Sequence, residues 1–276
     1  MTSERTSSAG AVELLADADR PGGWLLLIDR IRQSYVDLDD PTYLDFEYVQ
    51  AFAEILDALP AGPLSVTHVG GGGCTLARYV AATRPGSSQI VLEPDAELIE
   101  LVRSRLPFAR GTKPRIRPVD GRAGLAALPD AGADVVVLDA FAGGRVPAEL
   151  TTVECVTQIA RVLKPSGVLL VNAADGHQLQ YTKRLVATLR TALPEVLVRA
   201  DSAALKGRRF GNVVLAASRG ALPVEQIARA AAGAMFPQRV VHGPELADFV
   251  GGAAPLTDAD GVRSPQPPDE LWRVGG

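Results

Sequence analysis

From residue 64 to residue 218 the chain alternates two hydrophobic rhythms. Short, nearly continuous apolar runs predict strands at Leu64–Val69, Gln89–Glu93, Arg115–Val119, Ala133–Asp139, Gly167–Asn172, Val196–Ala200 and Asn212–Ala217. Between them, apolar residues recur every three or four positions. That spacing predicts helices over roughly 75–83, 96–106, 122–128, 151–163, 178–192 and 202–206. In the second helix Leu98, Leu101, Val102 and Leu106 form one stripe, with Glu97, Glu100 and Arg103 outside it. Strands alternating with helices imply parallel strands joined by crossover helices. Runs such as Val135-Val136-Val137-Leu138 suit a sheet covered on both faces. The expected class is α/β, with a mostly parallel seven-stranded sheet.

The ends of the chain have a different texture. Residues 1–20 read as a loose leader with a short helix around Val12–Ala18. Trp24–Ile28 and Ile31–Leu38 read as a small β-hairpin, ended by Asp39-Asp40-Pro41 because proline fixes φ and lacks a donor. Phe46, Val49, Ala53, Leu56 and Leu59 predict a helix over 45–59, and Pro60-Ala61-Gly62-Pro63 closes this unit. Residues 223–233 are a further helix, and 251–276, rich in Gly, Pro and Asp, read as an extended or partly ordered tail. The expected organisation is an N-terminal unit over 1–62, a central domain over 63–235 and a C-terminal extension over 236–276.

Bulk properties narrow the function without naming it. At 276 residues and 47% hydrophobic, the chain can bury a large core. A net charge of −4 gives no electrostatic case for nucleic acid as a partner. Met1–Gly10 is polar and small, unlike a signal peptide, and no apolar run approaches the roughly 18 residues of a membrane span. A cytoplasmic protein without membrane partners is expected. Cys74 and Cys155 make neither a disulfide framework nor a metal cluster.

The chemistry gathers at predicted strand ends. Val66-Thr67-His68-Val69 runs into Gly70-Gly71-Gly72-Gly73 and leaves through Cys74-Thr75-Leu76 at helical spacing: strand, tight turn, helix. Glycine permits positive φ and close approach of a ligand to the main chain, and a helix start offers unpaired N–H groups. In open parallel sheets this rim is the ligand crevice. Carboxylates stand at the following strand ends: Glu93, Asp120 before Gly121, Asp139, and Asp175 beyond Asn172. Glu93, 23 residues after Gly70, is placed to hold ribose hydroxyls, with Asp95 as the helix cap. Asp120 reads equally as a contact to an adenine amine or as a cap. Asp139 ends an apolar strand, where an unpartnered carboxylate is costly, and the small residues after it leave room for a substrate. A dinucleotide fingerprint would need glycine at 75 or 76, where Thr75 and Leu76 stand, so a nucleoside without pyrophosphate fits better. His68 reads as a core residue and His177 as a helix start; with His242 and two distant cysteines they make no zinc set.

These residues together resemble the spermidine synthase (polyamine aminopropyltransferase) family and, more widely, the Rossmann-like class I S-adenosylmethionine-dependent methyltransferase fold. The resemblance spans about residues 22–218: the hairpin with Gln33, the Gly70–Gly73 turn, Leu92-Glu93-Pro94-Asp95, Asp120-Gly121-Arg122, Leu138-Asp139-Ala140-Phe141 and Leu163-Lys164-Pro165-Ser166-Gly167. It implies that Gly70, Gly71, Gly72, Glu93, Asp120 and Gly121 bind an adenosyl sulfonium, decarboxylated S-adenosylmethionine or S-adenosylmethionine. It also implies that Gln33 touches that nucleoside's amino-acid-derived end. Asp139 resembles the first acid of the family's D-x-x-D signature, the base that deprotonates the attacking amine, and no metal is implied. Tyr43 and Tyr48 both match the tyrosine segment before the glycine strand. The expected partners are a nucleoside and an amine, for a chain that could pair as a homodimer. Two positions depart from the family: Gly73 stands where its turn carries an acid, and Ala142 where D-x-x-D has its second Asp. Both acids hold charged amine ends, so their absence leaves open two alternatives, methyl transfer from S-adenosylmethionine and non-catalytic nucleoside binding.

Overall fold

A computed structural model describes residues 3–7 and 10–268; the ends of the predicted leader and tail, including 269–276, lie outside the described residues. In chain order the elements are β1 (Ser3–Ser7), β2 (Gly10–Ala16), β3 (Gly23–Ile28), β4 (Ile31–Asp37), α1 (Glu47–Asp57), β5 (Ser65–Val69), α2 (Thr75–Thr83), β6 (Ser88–Leu92), α3 (Ala96–Arg105) and β7 (Arg115–Arg117). They continue with α4 (Gly121–Ala126), β8 (Ala133–Leu138), α5 (Val153–Val162), β9 (Leu163–Asp175), α6 (Gln180–Leu189), β10 (Glu195–Asp201), α7 (Ser202–Leu205), β11 (Gly211–Ser218), α8 (Val224–Gly233), β12 (Gln238–His242) and α9 (Gly243–Val250).

The central sheet has the order β12-β10-β11-β9-β8-β5-β6-β7. The pairs from β7 through β9 are parallel, and β11 and β12 run against the rest. One face is covered by α4, α5, α6 and α9, the other by α1, α2 and α8. That two-sided cover is why Val135, Val136, Val137 and Leu138 are all apolar. The chain leaves β5 toward β6 on one side and reaches β8 on the other. The crevice of a doubly wound sheet opens at such a switch point, and here the glycine turn follows β5.

Three features depart from the sequence expectation. The sheet has an eighth strand, β12, a five-residue edge too short to carry a period of its own. Val12–Ala18 is not a helix: Gly10–Ala16 is a strand in the four-stranded antiparallel sheet β1-β2-β3-β4. Val12 and Leu14 point inward at strand spacing and pair with Ile28 and Leu26, so long-range pairing overrides local helix preference. The inner side of this sheet packs on the predicted α3 stripe of Leu98, Leu101, Val102 and Leu106. Finally, the described part of the tail is a strap against the central domain. Val153 N donates to Leu256 O, Leu256 N to Thr188 Oγ1, and both Leu256 and Ser264 are fully buried. Arg122 meets Asp258 through both terminal nitrogens at 2.7 and 2.5 Å.

Candidate functional site

Gly70 takes φ +96, and a Cβ there would run into the backbone oxygen of Asp139, so the turn is locked against the end of β8. Gly71 N donates to Glu93 Oε2 at 2.8 Å and Asp95 N to Oε1 at 3.1 Å. Burial raises the proton affinity of Glu93, against the pull of the N–H groups of Asp95, Gly71 and Gly72. Asp95 caps α3, accepting from Glu97 N and Leu98 N, which leaves Glu93 to the crevice side. The hairpin docks on the turn from above: Gly73 N donates to Ser34 Oγ at 3.0 Å and Thr75 Oγ1 to Tyr35 O at 2.8 Å.

Asp120 follows the neighbouring strand β7 and is exposed. Its Oδ1 accepts from Arg122 N and Ala123 N, so it caps α4. Gly121 beside it is packed: a Cβ would lie 2.5 Å from Val69 Cγ1 and 3.3 Å from Leu150. Glycine is needed there for the helix to approach the glycine strand.

Asp139 is the centre of a polar chain. Its backbone N donates to Val69 O. Asn172 Nδ2 donates to its Oδ1 at 2.9 Å, Asn212 Nδ2 donates to Asn172 Oδ1 at 2.9 Å, and the Tyr48 hydroxyl also donates to the carboxylate. Asp139 is half-buried, and burial pushes the carboxyl pKa up to about 6, with Asn172 and Tyr48 pulling the other way. Burial and the adjacent Asp139 push the Tyr48 phenol well above its ordinary value, so it stays a donor.

Two hollows lie on this side of the sheet; both touch Tyr48, and Asp139 lines the smaller one. A small one of about 40 Å³, under the turn, touches Gly70, Gly71, His68, Tyr48 and Asp139. That is room for water, not for a nucleoside. A larger cleft of about 340 Å³ is lined by Gln33, Tyr48, Phe141, Asn172, Arg199 and Asn212, among others. Gln33 reaches it because the β3–β4 register shifts between Leu26 and Leu27: Leu26 faces Ser34 and Leu27 faces Arg32, leaving Gln33 as the extra residue of a bulge.

The structure thus brings Gly70, Gly71, Gly72 and Glu93 into one hydrogen-bonded unit beside Asp139, sets Asp120 and Gly121 at the adjacent strand end, and places Gln33 in the larger cleft. Of the two tyrosines, Tyr48 meets Asp139, while Tyr43 meets Tyr35 edge to face and lies under the Arg20 guanidinium. Asp175 is a correction: it is buried, bonds Gly176 N, Thr182 N and Thr182 Oγ1, and holds the start of α6 instead of facing the rim. His68 is a core residue, its Nε2 2.9 Å from Gln89 Oε1, and its pKa falls to about 4 through burial. Asn172, Asn212 and Arg199 were not singled out as site residues from the sequence. The one signal was a polar residue inside an apolar strand, for Asn172 and Arg199, or opening one, for Asn212.

Positions 73 and 142 sit in different surroundings. A Cβ at Gly73 would lie 2.8 Å from Val36 Cγ2 and 3.1 Å from Ser34 Cβ, so the docked hairpin fills the space an acid would need. Ala142 is exposed and lies in a tight turn, exchanging backbone hydrogen bonds with Arg145 across Gly143 and Gly144. The strap holds that turn: Arg145 Nε donates to Ser264 O at 2.6 Å and Val146 N to Ser264 Oγ at 2.9 Å. Among the described residues no group of three or more His, Cys, Asp or Glu could hold a metal ion, and no helix is long and apolar enough to cross a membrane.

No protein-family model matches the chain. It is 25% identical over 198 residues to a polyamine aminopropyltransferase of Neisseria meningitidis, covering 70% of this chain and 71% of that one. Its fold matches human methyltransferase-like protein 13, solved in complex with SAH, with a TM-score of 0.54 over 67% of this chain and 90% of that one, at 21% identity. It matches the crystal structure of a probable spermidine synthase from Corynebacterium glutamicum with a TM-score of 0.87 and 33% identity, covering 97% of this chain and 99% of that one. With a Rossmann-like class I methyltransferase fold, a hairpin unit docked on its glycine turn and this relative spanning nearly its whole length, the chain belongs to the spermidine synthase (polyamine aminopropyltransferase) family.

Proposed function

We propose that the chain is a transferase that binds an adenosyl sulfonium across Gly70–Gly72 and passes its alkyl group, aminopropyl in the first reading, to an amine. Glu93 then accepts from the ribose hydroxyls, Asp120 and Gly121 border the adenine, and Gln33 meets the donor's tail. The observation that carries the proposal is Asp139. It is a carboxylate fixed beside the glycine turn by Tyr48 and Asn172, with a pKa of about 6.

An amine is protonated near neutral pH and has no lone pair for attack. Asp139, ionised above its pKa, takes that proton. The amine nitrogen then forms a bond to the carbon beside the sulfonium. The carbon–sulfur bond breaks, its electron pair stays on sulfur, and a neutral thioether leaves as methylthioadenosine. Tyr48 and Asn172 hold the carboxylate in place and favour its ionised form, while burial raises its pKa to about 6, which suits a base near neutral pH.

A second reading, methyl transfer from S-adenosylmethionine, is favoured by one observation. Positions 73 and 142 bring no acid to the donor's tail, so a donor that keeps its carboxylate meets less repulsion there. Calorimetric titration with methylthioadenosine, decarboxylated S-adenosylmethionine and S-adenosylmethionine separates the readings. Tighter binding of the decarboxylated donor supports aminopropyl transfer, tighter binding of the carboxylated donor supports methyl transfer, and binding of none of the three sinks both.

A further inference from the structure

Aromatic residues make up only 5% of the chain, yet Phe46, Tyr48, Phe141 and Phe210 all line the larger cleft, and Ile31 and Val214 join them. Its volume of about 340 Å³ lies within the roughly 300–1,000 Å³ of pockets that hold small organic molecules. Such pockets are mostly apolar, with a few polar groups that fix orientation.

The charges of the lining leave a remainder. Its three arginines are each paired: Arg32 with Asp45 at 3.1 Å, Arg199 with Glu54 at 2.6 Å and Arg209 with Asp201 at 2.8 Å. Asp45 and Asp201 are used in those pairs, and Glu47 is left over. Glu47 is half-buried at the first residue of α1, and among the described residues its carboxylate has no ion-pair or hydrogen-bond partner. A carboxylate suits the first turn of a helix, which accounts for its place on α1. To the cleft it adds one uncompensated negative charge.

A single positive charge on a ligand would answer Glu47. The faces of aromatic rings attract a cation too, and this wall already holds one: Cζ of Arg32 lies 5.2 Å from the centre of the Phe46 ring. A second cationic group on the same ligand would find no unpaired carboxylate in the lining, and three arginines around it. The apolar walls favour an uncharged body instead, and a ring packs well against other rings.

We propose that the larger cleft binds a monocationic arylalkylamine, its ammonium on Glu47 and its ring among Phe46, Phe141 and Phe210. Such binding does not depend on Asp139 acting as a base, because Asp139 lines the smaller hollow.

Four probes separate the charge from the ring. 2-Phenylethylamine and tyramine carry both, 2-phenylethanol has the ring without the charge, and 1,4-diaminobutane has two charges without a ring. Each is titrated calorimetrically into the full chain. At least one of the two arylalkylamines should bind about tenfold tighter or better than both 2-phenylethanol and 1,4-diaminobutane. Glu47→Gln should remove its advantage over 2-phenylethanol, and Phe210→Leu should weaken it by about threefold or more. Binding of 2-phenylethanol or 1,4-diaminobutane within about threefold of the better arylalkylamine overturns the proposal, as does an advantage that survives Glu47→Gln. Affinity unchanged in Phe210→Leu, or no binding of either arylalkylamine at millimolar concentration, overturns it as well. Should a variant fail to fold, the wild-type comparisons and the other variant decide.

Discussion

Asn172 Nδ2 donates to Asp139 Oδ1 at 2.9 Å, and it can do so because each lies one residue beyond the parallel β8–β9 pair Leu138–Val171. The contact fixes one oxygen of the carboxylate, while Tyr48 donates to the same group. Replacing Asp139 by Asn keeps the volume and removes the base. Turnover, read as methylthioadenosine release, should fall by about 10²- to 10⁴-fold, the usual contribution of a positioned general base. Nucleoside affinity measured by calorimetry should change little, since Glu93 and the glycine turn are untouched. A comparable loss of nucleoside binding would show that Asp139 is structural.

The acid limb of the activity profile should report this carboxyl. As a base, Asp139 works only when ionised, so kcat/KM should rise with pH through about 6 and level off above it. Tyr48 donates to the ionised form and thereby lowers the pKa. Tyr48→Phe removes that hydrogen bond, and its acid limb should move to higher pH. A profile that stays in place in Tyr48→Phe would separate the limb from Asp139.

His68 should leave a pH signature in stability rather than in activity. Its folded pKa of about 4 lies below the ordinary value of 6.5, so between these values the unfolded chain binds the extra proton. This histidine therefore destabilises the fold as pH drops from about 6.5 to about 4, by on the order of 3 kcal/mol at the low end. Asp139 acts in the opposite sense, because its raised pKa makes the folded state bind the proton between about 6 and the ordinary 3.8. The difference between wild type and His68→Leu in urea midpoints from pH 4 to 7 isolates the histidine. The variant should gain on wild type as pH falls, and a pH-independent difference would contradict the assignment.

The alternation of strands and helices from 64 to 218 was legible in sequence because each element buries a continuous face and so carries its own period. The glycine turn and Glu93 were legible for a related reason: their places at strand ends are fixed by the sheet itself. What the sequence hid was long-range. The strand Gly10–Ala16 shows its inward Val12 and Leu14 only once a partner strand exists. Asn172, Asn212 and Arg199 look like stray polar residues in apolar runs until β8, β9, β10 and β11 are side by side. Gln33 could be picked from its hairpin, but its direction depends on a bulge that no local pattern announces.

The strap makes Ser264 a test of how loop 140–147 is held. Ser264 Oγ accepts from Val146 N, and Ser264 is fully buried. Ser264→Ala strands that backbone donor, at a cost of about 1–3 kcal/mol. Hydrogen exchange should show faster exchange at Val146 than in wild type, with β5 and β8 unchanged. Exchange that rises equally across the sheet would mean the strap stabilises the whole domain and not this loop.

Gly73 offers a test of whether the docked hairpin leaves room for an acid in the turn. A Cβ at 73 would meet Val36 Cγ2 at 2.8 Å and Ser34 Cβ at 3.1 Å, both on β4. The φ of Gly73 is not in the left-handed region, so the obstacle is the docked hairpin and not the backbone conformation. Gly73→Asp should therefore be destabilising by about 1–3 kcal/mol through overpacking. Val36→Ala alone should also destabilise, since Val36 packs in the core between the hairpin and α3. If the clash is the cause, the double variant will lose less than the sum of the two single changes, by more than the roughly 0.5 kcal/mol expected of independent sites. Additive losses in a urea-unfolding cycle would place the cost elsewhere, in the burial of the new carboxylate. In the coupled case the double variant also carries an acid at 73, and its affinity for decarboxylated S-adenosylmethionine relative to S-adenosylmethionine should rise above that of wild type.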